Sequence, residues 1–246
     1  MKKSEAIMDE LIKLYGGVDN FLEFTTPFEL VIAVMLSAQC TDDRVNKVTK
    51  EMYKKVNTPE GFAKMKVEDI EKMISSISYY HTKARHIKEC STQIVENFGG
   101  EVPNNMKDLM TLSGIGRKSA NVIMLEAFND CQGIAVDTHV FRISRRLGLS
   151  SKNEPQKVEQ DLLKIYPKKY WPLVNHILIS HGRNVCKAIN PQCDKCSISK
   201  YCNYNNENKK DFWSNYFKSL FNIRLYHMFQ ILEDNWQRHA QVRRDN

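Results

Sequence analysis

The sequence predicts an all-α protein whose helices are joined by short connections. Helix caps and amphipathic stretches with a helical period recur along the chain. No segment alternates Val, Ile, Thr and aromatic residues with the period of two that is typical of a strand. Connections of about two to eight residues suit helices that pack against one another. Because no fixed internal period recurs either, a compact α-helical fold is favoured over a repeat array.

Start and stop signals locate the individual helices. Thr26 and Thr58 are each followed by a proline, which combines an N-cap with a first-turn residue that needs no amide hydrogen. A long amphipathic helix is predicted over 80–98, ended by a pair of glycines. Further helices are predicted over residues 42–55, 117–128, 138–147, 156–165 and 172–182.

Composition and charge bound the class of protein. Of 246 residues, 42% are hydrophobic and 26% are charged, which excludes a fully disordered or collagen-like chain. The longest apolar run, 30–38, is about half the ~20 residues that a membrane helix needs, so we expect no membrane partner. The N-terminus lacks an apolar signal core, which favours a reducing cytoplasmic compartment, with an organelle as the alternative. The net charge of +7 is compatible with a polyanionic partner.

Four cysteines near the end of the globular part follow the spacing C-x6-C-x2-C-x5-C. They are Cys186, Cys193, Cys196 and Cys202. Such a thiolate tetrad is typical of tetrahedral zinc or of an iron–sulfur cluster, and the spacing alone leaves both open. The alternative of four unconnected core thiols is disfavoured because the intervening residues are polar. The other cysteines are expected to be small core residues: Cys40, Cys90 and Cys131.

Gly114 and Gly116 predict a tight hairpin between two helices. Glycine permits a positive φ and lets another backbone approach closely. The helix that begins near Arg117 points free amide groups and its positive dipole end outward, which suits a phosphate. Arg117 and Lys118 lie in the first turn, where cations are disfavoured, so we expect an anion contact or the use of an amine. The alternative is a simple helical corner with solvated basic residues.

Asp137 ends an apolar run and precedes a predicted helix. Aspartate is a favoured N-cap, and capping alone would explain it. A carboxylate fixed by capping is also preorganised to act on a substrate. His139, inside the same helix, is expected to be a packed histidine and not a ligand.

The motifs together resemble a known family. Residues 112–120 and 136–139, followed by the four cysteines at their spacing, resemble the endonuclease III family of helix-hairpin-helix DNA glycosylases and AP lyases, and 36–42 is similar to a further family segment. This resemblance implies an all-α fold of two lobes with DNA in the cleft between them. One lobe is the six-helix domain at 23–132. The other combines 1–22 with 133–203 and carries a C-terminal [4Fe-4S] cluster loop.

The resemblance also implies roles for individual residues. Lys118 corresponds to the nucleophile and Asp137 to its catalytic carboxylate, while the four cysteines correspond to the [4Fe-4S] ligands. Gln39 corresponds to the residue that enters the space left by a flipped base, and the wedge loop falls at 77–80. The DNA contacts expected on this basis are Gln39, Ile77, Tyr79, Gly114, Gly116, Arg117 and Lys187. The chain departs from the family at Ser113, where proline is usual, and in having few basic residues in the cysteine loop.

The expected activity is the removal of oxidised pyrimidines from duplex DNA, followed by strand cleavage 3′ to the abasic site through a lysine Schiff base. The expected partner is damaged double-stranded DNA, bound by a monomer. The adenine-specific mismatch glycosylase is the alternative within the superfamily, but its pattern lacks a lysine at the position of Lys118. A non-catalytic DNA-binding protein with a structural metal is the alternative from another class.

The segment 204–246 lies outside the resemblance and is expected to be a helical or partly disordered extension. Its polar start, 204–210, is interpreted as a linker. Apolar residues then follow the spacing of one helix face: Leu225, Met228, Phe229, Leu232 and Trp236. We expect this face to dock on the globular part or to mediate self-association, and we expect DNA cleavage not to need it.

Overall fold

The structure is a computed structural model, and it describes residues 2–17 and 21–207. All the regular elements in these ranges are helical, which confirms the all-α prediction. The α-helices are α1 (Lys3–Tyr15), α2 (Pro27–Ser37), α3 (Asp42–Tyr53), α4 (Pro59–Lys64), α5 (Val67–Ile74), α6 (Tyr80–Phe98), α7 (Met106–Leu109), α8 (Arg117–Phe128), α9 (Thr138–Leu147), α10 (Pro155–Ile165) and α11 (Trp171–Asn184). Short 3₁₀ turns lie at Lys168–Tyr170, Cys193–Lys195 and Ser199–Tyr201.

The predicted caps form as hydrogen bonds. The Thr26 hydroxyl accepts from the backbone N–H of Glu29 at 3.2 Å at the start of α2, and the Thr58 hydroxyl accepts from that of Gly61 at 3.2 Å at the start of α4. Helix α6 ends at Gly99, whose φ of 63° lies in the left-handed region. The local sequence therefore determines where these helices begin and end.

Two separate hydrophobic cores divide the described residues into two lobes. The first lobe surrounds α2, whose residues 28–36 are all buried, and its core draws residues from Leu22 to Met124. The second lobe packs α1 and α9–α11 together, with a core that runs from Ile7 to Cys202. We propose the domain boundaries 23–132 and 1–22 plus 133–203, with Leu22, which lies at the first boundary, packing in the first core.

Polar side chains join the two lobes. Arg117 of α8 pairs with Glu159 of α10, with Nε and Oε2 2.6 Å apart. Arg183, from α11, pairs with Asp42 at the start of α3, with Nη2 and Oδ2 also 2.6 Å apart. These contacts hold the lobes on either side of a shared cavity.

One of the scattered cysteines and the start of the tail differ from their expected roles. Cys90 lies in the first core and the half-buried Cys40 packs against it, whereas the half-buried Cys131 belongs to neither core of the described residues. Residues 204–207, expected as part of a linker, are helical. The predicted apolar face at 225–236 lies outside the described residues. No helix in the described part of the chain is both long and apolar enough to span a membrane.

Candidate active site and nucleic-acid interface

A cavity of about 400 Å³ lies between the two lobes. The first lobe contributes Lys118 from the first turn of α8 and Gln39 from the turn after α2. The second lobe contributes Asp137 from the start of α9. The structure thus brings together three of the residues selected from the sequence, which are separated by up to 98 positions in the chain.

Lys118 lines this cavity. The residue as a whole is exposed, but protein atoms crowd the neighbourhood of its ammonium group. Burial lowers the pKa of the Lys118 ammonium group below its ordinary value, and the nearby carboxylates of Asp137 and Asp42 oppose that shift. The balance favours a larger fraction of neutral amine at a given pH than a fully solvated lysine has.

Asp137 is fixed by the backbone of the helix that it caps. Its Oδ1 accepts the backbone N–H of Val140 at 2.8 Å, as the capping pattern predicts. Asp137 also lines the cavity. One side chain therefore starts α9 and presents a carboxylate of fixed orientation to the space beside Lys118.

Arg183 and Asp42 form another wall of the cavity, which no sequence motif predicted. The Arg183 guanidinium lies over the ring of Phe21, 4.6 Å from its centroid, while it pairs with Asp42. All three residues line the cavity. Their positions are 21, 42 and 183, so no local spacing in the sequence could reveal the contact.

The surroundings of two histidines on the cavity wall favour their neutral forms. Burial lowers the pKa of His139, and the Nδ1 of this residue accepts from Arg142 at 3.2 Å. Burial and the neighbouring charge of Lys118 lower the pKa of His176, whose Nε2 lies 3.4 Å from the Glu126 carboxyl group. Burial also raises the pKa of Glu126. Both shifts favour a neutral hydrogen-bonded pair over an ion pair.

Arg117 precedes Lys118 in the first turn of α8 and pairs with a carboxylate of the second lobe. Its guanidinium donates from Nε to Glu159 at 2.6 Å and from Nη2 at 3.2 Å, and Asn121 donates to the same carboxylate at 2.9 Å. The charge of Arg117 is therefore compensated by a buried partner. Burial, and not the neighbouring arginine, lowers the pKa of Lys118.

The two hairpin positions accommodate glycine for different physical reasons. Gly114 has a φ of 80°, and a Cβ there would lie 2.9 Å from Met35 Sδ, so the fold itself requires glycine. Gly116 has an ordinary φ of −96°, and a Cβ there would meet no atom within 4 Å. No side chain caps α8 at this end. Gly116 thus leaves the amide end of α8 open to an approaching group.

Two strained turns stand beside the hairpin. Gln39 and Tyr79 are exposed non-glycine residues with φ of 55° and 59°, and together with Gly114 they line a pocket of about 290 Å³. Ile77, in contrast, is only 2% exposed and belongs to the first core. The side chain of Ile77 is therefore not exposed for the expected DNA contact in this structure, and Tyr79 is the large exposed side chain of this segment.

The four cysteines line one small pocket beneath the loop of 186–202. Arg146 shapes this loop, donating to Cys186 Sγ at 3.3 Å and to the carbonyls of Lys187 at 2.7 Å and Ala188 at 2.9 Å. Lys187 itself is exposed. Among the described residues, no group of three or more His, Cys, Asp or Glu side chains lies close enough to hold a single metal ion.

Comparison with known proteins agrees with this geometry. Residues 32–168 match the model of the HhH-GPD superfamily base excision DNA repair proteins. Endonuclease III from Synechocystis sp. is 41% identical over 201 residues, which cover 82% of this chain and 92% of that protein. Endonuclease III from Bacillus subtilis is 41% identical over 203 residues, with the same coverage of both chains. The chain belongs to the endonuclease III family.

Solved structures of the family superpose closely on this chain. A trapped covalent intermediate of endonuclease III with DNA matches with a TM-score of 0.80 and 40% identity, covering 85% of this chain and 99% of that one. A non-covalent endonuclease III–DNA complex matches equally well. A thermostable thymine-DNA glycosylase shares the fold, with a TM-score of 0.76 at 23% identity. The endonuclease III fold thus extends over both lobes and over the cavity between them.

Proposed function

We propose that the chain is a bifunctional DNA glycosylase and AP lyase that removes oxidised pyrimidines from duplex DNA and cuts the strand 3′ to the resulting abasic site. The observation that carries this proposal is the placement of a partly desolvated lysine amine and a fixed carboxylate in one cavity between two lobes. The trapped covalent complex of an endonuclease III with DNA supports it, because such a complex needs a nucleophile on the protein.

Lys118 supplies that nucleophile in our proposal. A base inside a duplex is out of reach, so the damaged nucleotide first rotates out of the stack into the cavity. The neutral Lys118 amine attacks C1′ of the sugar, the bond from C1′ to the base breaks, and the base leaves with a proton. The sugar ring opens to a Schiff base on Nζ. Loss of a proton from C2′ then breaks the C3′–O bond and cuts the strand by β-elimination.

Asp137 acts on the charges that develop during these steps. Positive charge builds on the sugar as the base departs, and a carboxylate of fixed orientation stabilises that charge without reorganising. The same group accepts and returns protons as the amine becomes an imine. The cap bond to Val140 holds Asp137 in place for both roles.

The duplex is held by the turns around the cavity. Gln39 enters the space that the flipped nucleotide leaves, and Tyr79 wedges beside it, since both are exposed on turns that border the hairpin. The open amide end of α8 at Gly116 receives a backbone phosphate. Lys187 adds a contact from the cysteine loop. Arg117 reaches DNA only with the part of its side chain that Glu159 leaves exposed, 43% in this structure.

We propose that the four cysteines hold a [4Fe-4S] cluster. They fit it because all four thiols line one pocket, and thiolates are the ligands that such a cluster takes. The bound cluster would supply a rigid covalent tie for the loop at 186–202, with no part in bond breaking.

Borohydride trapping tests the catalytic proposal. Lys118→Gln should abolish the trapped complex with duplex that carries an oxidised pyrimidine, because the amide cannot form a Schiff base. Binding of the same duplex should stay within about tenfold of wild type, since the hairpin and turns are intact. Lys164→Gln, the same change on an exposed lysine of α10, is the control and should trap normally. Covalent trapping by the Lys118 variant would show that another amine reacts.

Metal and sulfide analysis tests the cluster. Protein purified without oxygen should be yellow-brown and contain about four irons and four sulfides per chain. Cys196→Ser should lose that colour, whereas Cys90→Ser, a buried thiol of the first lobe, should keep it. One zinc per chain without iron or sulfide would overturn this part of the proposal.

A further inference from the structure

Lys83 is a buried lysine that the proposed mechanism does not use. It belongs to the first turn of α6 and is only 7% exposed. Its ammonium group donates to the carbonyl of Leu36 at 2.8 Å and to that of Ala38 at 2.6 Å. Within the described residues, no carboxylate forms an ion pair with it. The charge is therefore held by backbone carbonyls at the end of α2.

Burying an ammonium group without a carboxylate is costly for folding. Burial lowers the pKa of Lys83, in line with incomplete replacement of its water shell. Two carbonyl acceptors and the negative dipole end of α2 recover part of this cost. A nonpolar side chain could occupy a core position without any such penalty. Because its burial lowers stability, we expect Lys83 to contribute through the backbone groups that its ammonium group holds in place.

The ammonium group holds one of the two strained turns directly. Ala38, whose carbonyl receives the shorter bond, immediately precedes Gln39 with its φ of 55°. A non-glycine residue in this left-handed conformation costs about 1–3 kcal/mol, so surrounding contacts must fix it. The bonds from Lys83 are such contacts.

The backbone of Lys83 holds the other strained turn. Its N–H donates to the carbonyl of Tyr79 at 3.1 Å, which closes the first turn of α6. Tyr79, with φ of 59°, is the residue just before that helix. One residue therefore connects the two exposed turns, by its backbone to Tyr79 and by its side chain to Gln39. The pocket between these turns is lined by all three residues.

We infer that Lys83 is a positioning residue for duplex recognition, which fixes the turns of Gln39 and Tyr79 at the spacing needed to invade the base stack. Lys83 touches none of the reacting groups and is absent from the walls of the Lys118 cavity. This inference rests on the proposed function, because it assigns Lys83 a task only if Gln39 enters the duplex.

Comparing duplex and single-stranded substrates distinguishes a positioning role of Lys83 from a role in supporting the fold alone. An abasic site in duplex DNA requires the turns to fill the gap in the stack, whereas an abasic site in a single strand offers no stack to invade. Lys83→Met keeps the length and apolar stem of the side chain and removes its charge. It should weaken binding to abasic duplex about tenfold, a loss of ~1.4 kcal/mol, and leave the cleavage rate on the single strand within about twofold.

A double-mutant cycle shows whether the effect passes through Gln39. In a Gln39→Ala background, Lys83→Met should cost less than about twofold in duplex binding, because the side chain that it positions is already gone. Lys88→Met is the matched control: Lys88 lies one turn further along α6 and also donates to a carbonyl at a helix end, that of Ala63, far from both turns. It should leave duplex binding unchanged.

Equal losses on duplex and single strand, or full additivity with Gln39→Ala, would overturn the inference. Lys83→Gln keeps a donor for one carbonyl, so its affinity for abasic duplex should lie between those of wild type and Lys83→Met. If the methionine variant does not fold, Lys83→Gln replaces it in the double-mutant cycle. Wild-type protein that cleaves neither substrate would refute the proposed function instead. An active wild type with an unaffected Lys83→Met variant refutes only the role of Lys83.

Discussion

The cavity of Lys118 and the pocket of the four cysteines differ in how their charged groups are compensated. In the cavity the charged groups have protein partners: Asp137 is bonded by Val140, and Asp42 by Arg183. In the cysteine pocket the thiols repel one another once ionised. Burial and the neighbouring thiols raise the pKa of Cys196 to about 11 and that of Cys193 also above its ordinary value. Arg146 is the cation that reaches a sulfur there.

In our proposal the first site is complete without a bound group, whereas the second depends on one. The cavity of Lys118 is assembled by contacts between protein side chains, so its geometry is present before DNA arrives. The cysteine pocket would need a cationic centre to hold four thiolates together.

The largest effect is expected at Asp137, where catalysis and capping meet. Asp137→Asn should lower turnover by about 10²–10⁴, since a positioned acid–base group contributes about that much. Asparagine also caps helices, so the free energy of unfolding should fall by ~1 kcal/mol or less. Single-turnover cleavage and thermal melting measure the two effects.

Asp137→Ala separates the two roles further. It should be as inactive as the asparagine variant but about 0.5–2 kcal/mol less stable than wild type, because the cap is lost as well. A loss of activity that simply follows the loss of stability across both variants would show that capping is the main role of Asp137.

A smaller effect is expected at Glu159, which joins the lobes. Glu159→Gln leaves Arg117 without a charged partner and should lower the free energy of unfolding by about 1–2 kcal/mol; the arginine is partly exposed, so the penalty of a fully buried pair does not apply. Glu154→Gln, in the same helix region, breaks an exposed pair with Lys157 and should cost less than ~0.5 kcal/mol. Equal denaturant midpoints for the two variants would contradict a bridging role.

The smallest effect is expected at Asp42 and concerns pH. The neutral amine reacts, so the lyase rate rises with pH through the pKa of Lys118. The Asp42 carboxylate raises that pKa, so Asp42→Asn should move the rising limb to lower pH. At neutral pH the rate should increase about two- to fivefold, the size of partly exposed charge interactions. Asp43→Asn, the adjacent exposed acid, should leave the profile in place.

The sequence predicted local features well because their causes are local. The caps at Thr26, Thr58 and Asp137 each act over three residues, and each forms as expected. Helix α5 lacks a capping side-chain bond, and α7 is capped by Asn105 but spans only four residues, which is too short to show a helical period.

What the sequence alone could not predict are contacts between distant positions. Arg183 meets Asp42 across 141 positions, Glu159 meets Arg117 across 42, and Lys83 meets Ala38 across 45. The burial of Ile77 is likewise set by tertiary packing, which its local sequence could not predict. Motif spacing points to the proposed reacting groups but not to the residues that hold them.

The central claim is that the amine of Lys118 forms the covalent bond to the sugar. Wild-type protein is incubated with duplex that contains an abasic site, reduced with borohydride and digested, and the adduct is located by tandem mass spectrometry. We predict a single deoxyribose-derived adduct on Lys118. An adduct on Lys83, on the N-terminal amine or on any other lysine, with Lys118 unmodified, would contradict it.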